Sequence, residues 1–87
     1  MNIDIIIQAA NDSSLVTLLI QHGILVTAET GTVPAKGIMY SHIGEATLNG
    51  VLLDGVYGFV GINDEVFTNA AQVLIDLDKH KYTGPDI

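Results

Sequence analysis

Asn49-Gly50, set between Leu48 and Val51, is the feature that most restricts what this chain can fold into. Both central residues of a type I′ turn need positive φ, and asparagine followed by glycine tolerates this well, so the dipeptide marks a two-residue hairpin. The signal lies inside residues 37–63, which also carry Gly44, Gly55, Gly58 and Gly61 with Tyr40, Tyr57 and Phe59. Helix-like segments stand on both sides, so this stretch is expected to form the sheet on which they pack.

Pairing outward from the turn sets Ala46 opposite Leu53, Glu45 opposite Asp54, His42 opposite Tyr57 and Tyr40 opposite Phe59. That register gathers Tyr40, His42, Tyr57 and Phe59 on one face, which makes them the candidate interface. The other face would carry Met39, Ile43, Leu52, Val56 and Val60. Both faces are then mostly apolar and neither suits water. Glu45 across from Asp54 is an unfavourable like-charge pair. A bulge at Asp54-Gly55 is the expected relief, since a second tight turn there would leave only residues 51–53 as a strand.

The flanks are read by period. In residues 1–10, Ile3, Ile6, Ile7 and Ala10 fit helical spacing behind Asn2 as cap. Met1, Ile3, Ile5 and Ile7 alternate as in a strand, and the isoleucine run supports that reading. Gln8-Ala9-Ala10 tips the expectation to helix. Asn11-Asp12-Ser13-Ser14 is a cluster of capping residues before a leucine-rich helix over 15–22, with Gly23 at the left-handed position past its end. Residues 24–30 alternate as a half-buried strand, and 31–36, containing Pro34, read as a loop. Asn63-Asp64-Glu65 opens a final helix lined by Val66, Ala70, Val73, Leu74 and Leu77. Residues 82–87 read as a loose tail after it.

Composition acts mainly by exclusion. The chain has 87 residues, one domain's worth, with no cysteine for disulfides or thiolate zinc sites. Ten acids face three lysines (Lys36, Lys79, Lys81) with no arginine, for a net charge of −7. That field repels nucleic acid and anionic membrane surfaces. No apolar run is long enough for a membrane helix, and residues 1–10 lack the basic start of a signal peptide. The apolar fraction is 48% and mean hydropathy +0.43, high for a small domain with so much surface. A protein partner or a homo-oligomer is expected to cover the surplus.

The candidate chemistry reduces to structural roles. His22, beside Gly23, suits a helix C-terminus. His42 would need a carboxylate to act as a base, and Glu45 projects to the other face. Asp76 and His80 have the i, i+4 spacing of two metal ligands, but no third ligand is nominated. Gly55, Gly58 and Gly61 recur every third residue, not in phosphate-loop order, and no lysine follows. Ser13 and Ser14 are sufficiently explained as caps. No catalytic residue, metal or cofactor is expected.

Met1-Asn2-Ile3-Asp4-Ile5-Ile6, the segment LVTLLIQHGILV, Pro34-Ala35-Lys36-Gly37-Ile38 and Ile43-Gly44 resemble a set of small proteins encoded among the tail and virion-morphogenesis genes of tailed phages. The likeness covers residues 1–45 and brings no functional residues with it. It implies a phage origin and a role exercised through protein contacts, in the host cytoplasm or on the virion. The expected fold is α+β, with two N-terminal helices, a small antiparallel sheet of about three strands and a C-terminal helix. The expected function is a non-enzymatic, acidic protein-binding module, virion-associated or used in assembly. An inhibitor docking on a host protein is the alternative.

Overall fold

The structure, a computed structural model, describes residues 2–85. Its elements run β1 (Asn2–Ala9), α1 (Asp12–Gln21), β2 (Leu25–Ala28), β3 (Gly31–Pro34), β4 (Ile38–Gly44), β5 (Thr47–Leu48), β6 (Val51–Leu52), β7 (Val56–Asn63) and α2 (Ala70–Leu77), then a 3-10 turn at Asp78–His80. The class is α+β, but the expected pair of N-terminal helices is not there: the first segment is a strand. β1 joins an antiparallel sheet of order β1-β7-β4, and β2-β3 and β5-β6 form two separate hairpins.

The alternation in residues 2–9 wins over their helical spacing for a physical reason. As a strand, the segment sends Ile3, Ile5, Ile7 and Ala9 to one face, opposite Ile62, Val60, Gly58 and Val56 of β7. Three consecutive β-branched side chains also fit a pleated surface better than a helix. The part of this expectation that concerns Met1 lies outside the described residues.

That face is the core. Ile5, Ile7, Val56, Val60 and Ile62 pack with Leu15 and Leu19 of α1, Ile24, Leu25, and Ala70 and Leu77 of α2. α1 is held at both ends by local chemistry. The Asn11 side chain accepts the Ser14 N–H at 2.8 Å. At the other end Gly23 stands at φ +74°, and the Gly23 and Ile24 N–H groups donate back to Ile20 and Leu19, which is the Schellman closure.

Two further expectations are corrected. Residues 31–34 are not loop: Val26 pairs with Val33 and Thr27 with Thr32, and Pro34 sits at the strand's end opposite Leu25, where a missing N–H is tolerated. Asn63 ends β7 instead of starting a long helix. Its side chain accepts the Glu65 N–H and its carbonyl accepts from Val66 and Phe67, but this closes a single turn. Asn69, at φ 62°, interrupts the chain before α2 begins. Of the tail expected over 82–87, Asp86 and Ile87 lie outside the described residues. Tyr82 donates its N–H to Ile6 at 2.7 Å, which ties it to the outer edge of β1.

Candidate interaction surface

The Asn49-Gly50 turn forms with both residues at positive φ, and Leu53 N–H donates to Ala46 as the hairpin register requires. The register does not continue into the main sheet. Tyr40 faces Val60, Ser41 faces Phe59 and His42 faces Gly58, with a bulge between His42 and Gly44. The irregularity expected at Asp54-Gly55 is there, as the bend that separates β6 from β7, and a second one, the bulge, lies on β4. A one-residue offset reassigns every cross-strand partner. The four residues expected together are divided: Tyr40 and His42 lie on the α1 side of the sheet, and Tyr57 and Phe59 on the outer side.

On the α1 side, the Tyr40 ring lies over Gly58, where an added Cβ would come within 2.8 Å of the phenol oxygen. The Tyr40 hydroxyl is 3.3 Å from His42 Nδ1, and His42 Nε2 is 3.2 Å from Asp12 Oδ1 at the start of α1. Asp12 thus supplies the carboxylate that Glu45 does not. Nothing in the spacing of residues 12 and 42 signals this, because Asp12 reads as part of a cap. Burial, and secondarily the Asp12 charge, raise the Tyr40 pKa above its usual 10.0. His42 and Asp12 are 46% and 68% exposed in their side chains, so their contact is a solvated one that orients an edge side chain.

The outer face presents Asp4, Ile6 and Gln8 of β1, Tyr57, Phe59 and Gly61 of β7, and Met39 and Ser41 of β4. Tyr57 is only 1% exposed because Tyr82 covers it edge-on, with ring centroids 5.2 Å apart. Its hydroxyl donates to the Asp54 carbonyl at 2.8 Å. Phe59 and Ile6 are half-buried and Met39 is 71% exposed. Gly61, lacking a side chain between Asp4 and Met39, helps leave a shallow depression of about 290 Å³.

The remaining candidates occupy quieter places. His22 Nδ1 donates to the Leu18 carbonyl at 2.9 Å, and its ring meets His80 edge-on at 6.4 Å. Asp76 accepts from Gln72 at 3.1 Å. Among the described residues no group of three His, Cys, Asp or Glu side chains is placed to hold a metal ion. Nor is any described helix long and apolar enough to cross a membrane. No protein-family model, curated protein or solved structure matches this chain.

Proposed function

We propose that this chain is a small acidic protein-binding module without catalytic activity, serving a phage particle as a virion-associated or assembly protein. The observation that carries this reading is the outer sheet face. Met39 stands almost free, Ile6 and Phe59 are incompletely covered, and both helices contribute to the core on the opposite side. A sheet face whose apolar residues are left this open between Asp4, Gln8 and Ser41 is stabilised when another protein surface covers it. The net charge of −7 favours a protein over nucleic acid as that surface, and the resemblance at residues 1–45 supplies the phage setting.

The test combines light scattering with capture from phage-producing cells. Met39→Lys and Phe59→Lys are expected to weaken association by about tenfold or more, since each would place a charge in a desolvated contact. Lys79→Ala should leave it unchanged. Recovery of the chain in particles supports the assembly role, whereas a defined complex with one host protein favours the inhibitor. A wild type that stays monomeric and binds neither particle nor host component defeats the reading.

A further inference from the structure

The backbone of β4 has a side that the fold leaves open. Gly37 C=O accepts the Asn63 N–H at 2.8 Å, and this fixes the alternation along the β4-β7 ladder. Residues 39 and 41 exchange hydrogen bonds with β7. Tyr40 and His42, opposite Val60 and Gly58, turn their own N–H and C=O groups away from it. Ile38 does the same, and its N–H is already given to Ala35. β4 ends the sheet, so among the described residues no strand pairs with this row. The opposite end of the sheet is treated differently: β1 is capped by the Tyr82 N–H on Ile6 and by a bridge between Ile7 and Lys81, and it carries Asp4.

We infer that β4 pairs antiparallel with β4 of a second copy of this chain, about a two-fold axis at Tyr40. The inference rests on the protein-binding reading and adds to it a second copy at the sheet edge, which leaves the outer face open to a further partner. Electrostatics selects the occupant. Residues 37–44 contain no Asp, Glu, Lys or Arg in a chain of net charge −7, so two copies meet there with little like-charge repulsion, the nearby Asp12 carboxylate being held on the imidazole of His42. Neither an edge lysine nor an edge proline stands in the segment, and the one edge-protecting feature it has, the bulge, lies past His42. The bulge after His42 limits the regular part to residues 38–42, whose middle residue is Tyr40.

This geometry is self-complementary. Each Tyr40 N–H donates to the Tyr40 C=O of the other copy, and each His42 N–H donates to the other Ile38 C=O. The Ile38 N–H, already occupied, is not needed as a donor. Met39 then stands directly across from Ser41 of the second copy, and the two outer faces join into one continuous surface.

The chain has no cysteine, so Met39→Cys and Ser41→Cys report on the register cleanly. Both positions are exposed. In the proposed ladder they form a non-hydrogen-bonded pair about 4.5 Å apart between Cα atoms, within disulfide reach. Like residues are offset diagonally by about 7–8 Å. An oxidised mixture of the two variants is expected to give a mixed disulfide dimer at least about tenfold faster than either variant alone. In the wild type, exchange of the Tyr40 and His42 amides should slow by about tenfold or more as protein concentration rises. A wild type that is dimeric by light scattering yet shows no preference for the mixed disulfide overturns the β4 pairing and leaves the protein-binding reading standing. A wild type that remains monomeric at roughly 100 μM overturns self-association itself, and capture of another protein then decides the broader reading.

Discussion

Replacing Gly55 with alanine should be far more damaging than the same change at Gly50, and the difference measures one close approach in the fold. Both glycines have left-handed backbones, at φ +84° and +79°. An L-residue in that region costs about 1–2 kcal/mol. At Gly50 a Cβ meets nothing within 4 Å, so that cost is the whole effect. At Gly55 the Cβ would press on the carbonyl oxygen of Ala9. Ala9 is itself paired with Val56, so the carbonyl can withdraw only by loosening the β1-β7 ladder. Forced displacement of packed atoms adds about 1–3 kcal/mol. Gly55→Ala should therefore lose about 2–5 kcal/mol in total. For a small domain the urea dependence is about 1 kcal/mol per molar. The unfolding midpoint, followed by circular dichroism, should fall by about 2 M or more for Gly55→Ala and by about 1–2 M for Gly50→Ala. Equal midpoints for the two variants would show that the chain does not make its bend at Asp54-Gly55 against the end of β1.

Three other outcomes follow from contacts already described. Tyr82→Ala should cost about 1–2 kcal/mol in the same assay, because it uncovers Tyr57 and removes the edge-on ring contact. Asn11→Ala should cost about 1 kcal/mol by leaving the Ser14 N–H without its cap, with loss of helical ellipticity as the second readout. Burial is the leading cause that raises the pKa values of both Tyr40 and Tyr57 above 10.0, with Asp12 adding at Tyr40 and Tyr82 and Asp54 at Tyr57. The folded state thus favours the neutral phenols. Their contribution is intact below pH 10.0 and is lost as pH rises through the folded values. Urea midpoints should decline across that range, and Tyr57→Phe should flatten the decline.

What was legible in the residues was whatever depends on neighbours along the chain. Asn49-Gly50 turns, Asn11 caps and Gly23 closes its helix as their chemistry requires. What was not legible depends on contacts that the order of residues does not encode. The hairpin register, correct at Ala46 and Leu53, fails further out because the Asp54-Gly55 bend inserts extra residues that put Gly44 opposite Tyr57, and the bulge between His42 and Gly44 takes back only part of that shift. That shift separates Tyr40 and His42 from Tyr57 and Phe59. β1 shows the same limit differently: Ile3 to Ile7 satisfy two periods at once, and only the partner strand β7 decides between them. Asp12 reaches His42, and Tyr82 reaches Tyr57, across distances in sequence that no spacing argument connects. Asn63 shows that capping chemistry can be present where a helix does not propagate.

The placement of β1 has a consequence for how the chain is made. Its partner, β7, lies at Val56–Asn63, so an isoleucine-rich segment waits while the intervening residues are synthesised before its pairing strand exists. Long-range antiparallel pairing of this kind forms slowly, because the intervening chain must first be ordered. At ribosomal speeds of about 5–20 residues per second, that wait lasts on the order of several seconds. During it, Ile3, Ile5, Ile6 and Ile7 form a short β-prone window broken by one charge, Asp4. A charge so placed opposes β-aggregation, so the yield of soluble protein should be more sensitive to the loss of Asp4 than the stability of the finished fold.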